Sequence, residues 1–169
     1  MKKKATAVSL LIALILVLLT ACGDIGEAPA SDFKYTIVAH SVRIDEYIGS
    51  DTRVRVPDMI ENTPVKVIGH SAFRGSNVRS VHLPLELEVI GVLAFADCVG
   101  LTDIVIPDNV LVIDNAAFGE CTGLRNVTLG SGVTEIQWAA FDGCTKLSES
   151  SRQSILNINP SVKFDSVNK

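Results

Sequence analysis

Three cysteines, Cys98, Cys121 and Cys144, are the residues whose type and spacing most readily suggest chemistry in this 169-residue chain. They follow one another at intervals of 23 residues, so a fold that repeats with this period would place their thiols about 5 Å apart in a column. Such a column could hold a soft metal ion or one disulfide bond, although metal sites usually cluster Cys and His at short spacing. Buried structural residues explain the pattern better, because free cysteine packs as a small apolar residue and Ser76 occupies the preceding place in the column. We therefore predict no metal and no cofactor.

The histidines and carboxylates show no spacing typical of a metal-binding or catalytic site. His40, His70 and His82 are scattered, and none has a cysteine or carboxylate at ligand spacing within its own repeat. No nucleophile, zinc-binding or phosphate-cradling motif occurs. The acidic residues do not keep one register from repeat to repeat, as a pair of glycosidase carboxylates would need to. We interpret those at positions 97, 108, 114 and 120 as solvated turn residues, and the sequence predicts a protein that is not an enzyme.

The fourth cysteine, Cys22, follows a segment with the features of a secretion signal. Residues 1–4 include three lysines, and residues 5–19 form an uncharged apolar run. That run is shorter than the roughly 20 residues of a membrane-spanning helix. Leu19-Thr20-Ala21-Cys22 resembles the bacterial lipobox. The resemblance implies that residues 1–21 are a lipoprotein signal peptide and that Cys22 becomes a lipidated N-terminus; an ordinary signal peptide or an uncleaved anchor are the alternatives.

These features set expectations about location and partners. Lipidation of Cys22, with palmitate among the acyl chains, would hold the protein on the extracytoplasmic side of the cell membrane or on the outer surface, with the lipid anchor as its only membrane contact. The formal net charge of −4 becomes −7 when the three lysines of residues 1–21 are removed, so nucleic acid is a poor candidate partner. Residues 22–32, which are small and polar after the cysteine, are predicted to be a flexible tether.

An internal repeat must position the residues of the folded part. Four phenylalanines recur at intervals of 22, 23 and 23 residues, each preceded by alanine: Phe73, Phe95, Phe118 and Phe141. Upstream of each one lies a short β-branched or Leu-rich run, such as Ile104-Val105-Ile106-Pro107, and then a pair of apolar residues. The alternation predicts a strand in each run, and the phenylalanine is predicted to fill the interior. One unit cannot bury its own apolar edge, so we expect the units to stack with parallel strands about 4.8 Å apart.

The repeat resembles a known family. Ile68-Gly69-x-x-Ala72-Phe73 and the segment Gly-Leu-Thr-Asp-Ile-Val-Ile-Pro at 100–107 are similar to the BspA-like, or treponemal-type, leucine-rich repeat, whose unit has about the same length. The similarity covers residues 54–147. Departures from the family pattern are scattered: Asp114 and Gln137 in place of Gly, Leu93 before Ala94, and Gly130 in place of Pro. The resemblance implies a leucine-rich-repeat array.

The flanking segments are predicted to cap this array. Residues 33–53 contain the alternations Tyr35/Ile37 and Val42/Ile44, which predict a β-hairpin that covers the first repeat. Residues 148–169 are predicted to form a second cap, with a short helix over 148–157, capped by Ser148 and ended by Pro160, and a last strand at 162–164. The expected fold is a repeat solenoid, mainly β with short turns and helical segments: a leucine-rich-repeat array with an N-terminal β-hairpin cap and a short C-terminal helix.

The outward positions of the predicted strands form the candidate binding face. Alternation places eight side chains there, with Arg79 and Arg125 beside them: Arg53, Arg55, Ser80, His82, Asp103, Val105, Asn126 and Thr128. Leucine-rich repeats often bind ligands on this face, so the resemblance implies protein–protein interaction or adhesion at the cell surface, with an unknown protein or glycan as ligand. A row of merely solvated side chains explains the pattern equally well. The alternatives are a structural or accessory envelope lipoprotein without an external ligand and, third, an enzyme or metal protein built on the cysteine column.

Overall fold

The repeated sequence folds into a β-solenoid of about four turns with one short helix near its C-terminal end. The computed structural model describes residues 25–165. In each turn the β-branched run forms a strand of one sheet, a bend follows, and the next apolar pair forms a strand of a second sheet. The predicted solenoid is confirmed. The turns stack because each one buries its apolar edge against its neighbours.

One sheet consists of four three-residue strands. They are β3 (Arg53–Arg55), β6 (Ser80–His82), β8 (Asp103–Val105) and β10 (Asn126–Thr128). Their spatial order is β10-β8-β6-β3, and all neighbours are parallel. The middle residue of each strand is buried, while the residues on either side face outward. Proline follows the first three strands and stops the ladder, because it has no N–H to donate.

The second sheet has seven strands. They are β1 (Phe33–Val38), β2 (Ser41–Tyr47), β4 (Met59–Ile60), β5 (Thr63–Ile68), β7 (Val89–Ile90), β9 (Val112–Ile113) and β11 (Glu135–Ile136). The strands follow the order β1-β2-β5-β7-β9-β11, parallel from β2 onward, and β4 pairs antiparallel with β5. Ile68, Ile90, Ile113 and Ile136 are in register, so the last residue of each apolar pair contributes to one continuous buried wall.

The predicted N-terminal hairpin is formed by β1 and β2. Ala39 and His40 at its tip both have positive φ, 45° and 69°, as in the two-residue turns whose twist matches that of the strands. Because β2 pairs in parallel with β5, the hairpin covers the first edge of the seven-stranded sheet. The first edge of the four-stranded sheet, β3, is covered by other residues.

Within residues 25–32, part of the segment expected to be a flexible tether over residues 22–32, Ala28 contacts that edge. The Ala28 N–H donates to the Arg55 carbonyl oxygen at 2.8 Å, and Ala28 packs on the apolar core. A single 3-10 turn follows at Ala30–Asp32. The backbone groups of an edge strand need partners, and this segment supplies one of them.

The C-terminal cap contains the expected helix but not the expected strand. Helix α1 (Glu149–Ile158) begins after Ser148, whose side chain accepts a hydrogen bond from the Ser151 N–H. Residues 162–164 form no strand; their one backbone bond to the last turn joins the Lys163 N–H to the Trp138 carbonyl oxygen at 2.9 Å. Val162 and Phe164 are buried, so this segment closes the core with side chains rather than with a ladder of backbone bonds.

Candidate functional site

The outward side chains of the four-stranded sheet form two straight columns, which we call the sheet face. The strand pairings fix the register of these columns. One column runs Arg53, Ser80, Asp103 and Asn126, and the other runs Arg55, His82, Val105 and Thr128. All eight predicted residues therefore lie on one surface, where Arg55 and Ser80 are half-buried and the other six are exposed.

A depression of about 650 Å³ lies on the sheet face. Two apolar side chains that line it are largely uncovered: Leu85 is 70% exposed and Val105 is 64% exposed. His82, Pro107 and Thr128 also line it. These two exposed aliphatic side chains would give a partner an apolar surface to cover. Leu85 was not predicted, because it follows Pro84 outside the strand alternation that located the other positions.

Three arginines border the sheet face near the N-terminal ends of its strands. We call Arg53, Arg79 and Arg125 the basic margin. Backbone bonds place the last two, because the Arg79 N–H donates to the Thr52 carbonyl oxygen at 2.6 Å and the Arg125 N–H donates to that of Thr102 at 2.7 Å. The three side chains are exposed, and within residues 25–165 none forms an ion pair. Their positive charge is therefore available to a partner.

One carboxylate, that of Asp103, lies among these arginines. The Asn126 Nδ2 donates to Asp103 Oδ1 at 2.7 Å. Hydrogen bonds from Asn126 and Thr102, together with the nearby Arg125 guanidinium, hold the pKa of Asp103 below its usual value. Asp103 is thus ionised at neutral pH and offsets part of the positive charge at this end of the strands.

Acidic residues lie at the opposite end of the strands, beyond the prolines. Asp58 Oδ1 accepts a hydrogen bond from the Leu85 N–H at 2.8 Å. Asp108 Oδ1 accepts from the Ser131 N–H at 2.7 Å, and this bond lowers the pKa of Asp108. Both carboxylates connect neighbouring turns. For Asp108, which the sequence suggested was a solvated turn residue, the hydrogen bond to Ser131 is an additional contact. Along the strand direction the sheet face therefore changes from basic to apolar to acidic.

Helix α1 flanks the sheet face at β10. Ser151, which is only 4% exposed, accepts a hydrogen bond through its Oγ from the Val127 N–H at 2.9 Å. This contact covers the last edge of the four-stranded sheet, as an edge strand requires. A second depression of about 640 Å³ separates α1 from β10 and is lined by Ser150, Ser154 and Asn157 of the helix. The sequence identified Ser148 as a cap but gave no reason to single out Ser151 in a run of serines.

The cysteine column lies inside the solenoid. The three thiols have 0% exposure, and each donates to a phenylalanine carbonyl oxygen of the preceding turn: Cys98 to Phe73 at 3.0 Å, Cys121 to Phe95 at 3.0 Å and Cys144 to Phe118 at 3.1 Å. Burial raises the pKa of Cys98 to about 11, and the Cys144 thiol, together with burial, raises that of Cys121. The thiolate needed for metal binding or disulfide exchange is therefore disfavoured.

The four predicted phenylalanines are also buried and lie in one column. Phe73 is 1% exposed, and Phe95, Phe118 and Phe141 are 0% exposed. Successive ring centroids are 4.8, 5.3 and 5.1 Å apart in stacked geometry. Phenylalanines and cysteines thus occupy the interior of the solenoid, so their side chains do not contribute to the sheet face.

The other residues considered for chemistry are dispersed. His40 is at the hairpin tip, His70 is in a bend after β5, and His82 alone is on the sheet face. In residues 25–165 no group of three or more His, Cys, Asp or Glu is arranged to hold a metal ion. Cys22 and the signal peptide proposed for residues 1–21 lie outside the described residues. Within the described range, no helix combines the length and the apolar character needed to cross a membrane.

Comparison with known proteins agrees with this architecture. The family described as BspA type Leucine rich repeat region matches residues 54–167 with six copies of its repeat. A leucine-rich repeat protein of T. pallidum, TpLRR, is similar in structure with a TM-score of 0.55 and 21% identity, over 84% of this chain and 100% of that one. A leucine-rich repeat protein from Bacteroides capillosus has a TM-score of 0.59 and 28% identity, over 65% of this chain and 86% of that one. No curated protein matches the chain significantly.

The family match covers well over half of the chain and includes both sheets of the solenoid from β3 onward. Leucine-rich repeat proteins generally act in protein interaction or at surfaces, and they are typically not enzymes. The resemblance found in the sequence is thereby confirmed: this chain belongs to the BspA-type leucine-rich repeat family.

Proposed function

We propose that this protein is a lipid-anchored cell-surface protein whose sheet face binds a protein partner. The observation that carries the proposal is the depression in which Leu85 and Val105 are exposed, on a face bordered by three arginines that form no ion pair within residues 25–165. The side chains stand on a backbone held by parallel ladders, so their spacing is fixed before a partner arrives. Such preorganisation lowers the entropic cost of binding.

The anchor is supported by the sequence. The basic residues 1–4, the apolar run of residues 5–19 and the lipobox-like Leu19-Thr20-Ala21-Cys22 occur in the order that a lipoprotein signal requires. Residues 25–32 then lead to the β3 edge of the solenoid. This arrangement would hold the protein at the cell surface close to its first turn.

The size of the sheet face favours weak contacts made many times. Four strands span about 20 Å, and the strands with their flanks are about 15 Å long. That area is well below the roughly 800 Å² per partner of a standard protein interface. Many anchored copies on one cell would raise the effective concentration and compensate for the small area.

The lipid anchor is tested by the substitution Cys22→Ala. We expect the variant to accumulate as an unprocessed precursor that incorporates no radiolabelled palmitate, whereas the buried-cysteine variant Cys98→Ala is processed normally. Normal palmitate incorporation by Cys22→Ala would contradict the proposed lipid anchor, but it would not bear on the proposed binding by the sheet face.

The binding role is tested by the substitution Val105→Asp, with Leu111→Asp as a matched control. Leu111 is 48% exposed and directly precedes β9 of the seven-stranded sheet. Proximity cross-linking on intact cells, quantified by mass spectrometry, should show partners that are lost with Val105→Asp and retained with Leu111→Asp. An unchanged profile for Val105→Asp would overturn the proposal. If the lost partners are proteins of the same envelope, the protein is an accessory envelope lipoprotein without an external ligand.

A further inference from the structure

The charges and shape of the sheet face identify the kind of partner that it fits. We propose that it binds an extended acidic segment of a protein, with carboxylates on the basic margin and an aliphatic side chain in the depression. This inference rests on the proposed function, since it specifies the chemistry of the same face.

The charge of the basic margin is opposite to that of the chain as a whole. The chain has 19 acidic and 15 basic residues, a formal net charge of −4, yet three arginines without ion pairs in the described part of the chain lie on this one border. Asp103, held by Asn126, is the carboxylate among them. An acidic partner is therefore attracted to the sheet face and repelled by most of the remaining surface, which orients it on approach.

The spacing of the arginines suits an extended chain that crosses the strands. Arg79 and Arg125 hold equivalent positions two strands apart, one residue before β6 and β10, so their backbones are about 10 Å apart. In a polyproline II segment, residues i and i+3 lie on the same side about 9 Å apart. Carboxylates at every third position can thus meet both arginines.

The depression gives this partner its second contact. Val105 lies two residues beyond Asp103 along β8, about 7 Å from the column next to the basic margin. When the partner's carboxylates contact the basic margin, a neighbouring aliphatic side chain of the partner can reach the depression and cover Leu85 and Val105. Asp58 and Asp108 lie at the opposite end of the strands from the basic margin. They disfavour the reversed orientation of the partner, because its carboxylates would then lie next to them. The exposed side chains in the depression are aliphatic, and they match an apolar side chain of a peptide better than the hydroxyl groups of a sugar. We therefore prefer a peptide to an acidic glycan as the partner.

The proposal is tested with the full chain in detergent micelles and a labelled 12-residue peptide. The peptide consists of Ser, Thr and Pro with Glu at every third position and two Leu residues, and its counterpart has Lys in place of Glu. Fluorescence anisotropy at low ionic strength gives the two affinities, because exposed charges are screened by salt. Arg79→Gln combined with Arg125→Gln removes two charges from the basic margin. Lys34→Gln combined with Lys66→Gln removes two charges from the seven-stranded sheet, where both lysines are exposed or partly exposed.

We expect the Glu peptide to bind at least about tenfold more tightly than the Lys peptide. The double arginine variant should weaken its binding at least about fivefold, and Val105→Asp should weaken it too, while the double lysine variant stays within about twofold of the unchanged chain. Equal affinities for the two peptides, or no effect of the arginine substitutions, would overturn the inference. So would tight, arginine-dependent binding of a heparin octasaccharide in the absence of peptide binding, which would assign the face to an acidic glycan. If no acidic peptide binds but Val105→Asp still removes partners on cells, the proposed function stands and only this chemistry fails.

Discussion

The ring of Tyr47 stacks on the ring of Phe73, with centroids 5.1 Å apart and an interplanar angle of 19°. Phe33, from the first strand of the same hairpin, lies 5.5 Å from Tyr47 and 6.3 Å from Phe73. The hairpin therefore adds two aromatic rings to the column of phenylalanines in the repeats. It caps the solenoid by continuing the interior of the array as well as by covering the edge of a sheet.

Replacement of Tyr47 tests this role of the hairpin. Tyr47→Ala removes a ring that is 9% exposed and should lower the free energy of unfolding by about 3 kcal/mol, since it leaves a cavity at the end of the column. Tyr47→Phe keeps the ring and loses only the hydroxyl bond to the Asp51 carbonyl oxygen, 3.2 Å long, so it should cost at most about 1 kcal/mol. Urea denaturation measures both. Similar losses for the two variants would show that the hydroxyl, not the stacked ring, holds the cap.

Phe118 is expected to be a central contributor to stability. It has 0% exposure and stacks on Phe95 and Phe141, so Phe118→Ala should lower the free energy of unfolding by about 3 to 5 kcal/mol. Trp138, an aromatic residue that is 51% exposed, provides the control, and Trp138→Ala should cost much less. Thermal denaturation followed by circular dichroism compares them. An unchanged melting temperature for Phe118→Ala would remove the physical basis of the stacked array.

The repeats could be predicted from the sequence because each buried position recurs in every turn. The Ala-Phe pairs, the cysteines and the alternation around Ile104 each recur in one register, and burial is the common cause of that recurrence. Tyr47 and Leu85 have no such counterparts. Their positions depend on how the hairpin docks and how the chain bends after Pro84, and both are determined by tertiary contacts.

The caps and the edges were harder to predict for a related reason. Edge strands expose backbone groups, and any nearby segment with a free donor or acceptor can satisfy them. Ala28 does so at β3, and Ser151 does so at β10. The strand expected at 162–164 does not form: Val162 and Phe164 are buried on the same side of the segment, as in a strand, but only the Lys163 N–H bonds to the backbone of the last turn. Composition identifies these segments as caps, but the individual bonds depend on the final packing.

Ser151 is expected to stabilise the last turn through its hydrogen bond to β10. Ser151→Ala leaves the buried Val127 N–H without its partner, and an unsatisfied buried donor costs about 1 to 3 kcal/mol. Ser154→Ala is a matched control in the same helix, because Ser154 is exposed and bonds only the Ser150 carbonyl oxygen within α1. Amide hydrogen exchange of β10 should accelerate in the first variant alone. Equal exchange rates in both variants would show that Ser151 does not hold this edge.

The cysteine column should make the stability of the protein fall at alkaline pH. The pKa of Cys98 is raised by burial from 9.0 to about 11 in the folded protein, so the unfolded chain loses this proton first as the pH rises. The contribution of the protonated thiol to stability is complete below pH 9 and is lost progressively between pH 9 and pH 11. The loss should approach about 2 to 3 kcal/mol, since each pKa unit corresponds to about 1.4 kcal/mol. Urea denaturation at several pH values measures it.

The variant Cys98→Ala separates this effect from the titration of other groups. It should be less stable than the unchanged chain at pH 8, because it loses the thiol packing and the bond to the Phe73 carbonyl oxygen. Its stability should nevertheless decline less steeply above pH 9, so that the two curves converge. Parallel curves would show that Cys98 ionises as readily in the folded protein as in the unfolded chain. In that case iodoacetamide would also label the thiol under native conditions, whereas a buried thiol of raised pKa reacts only after denaturation.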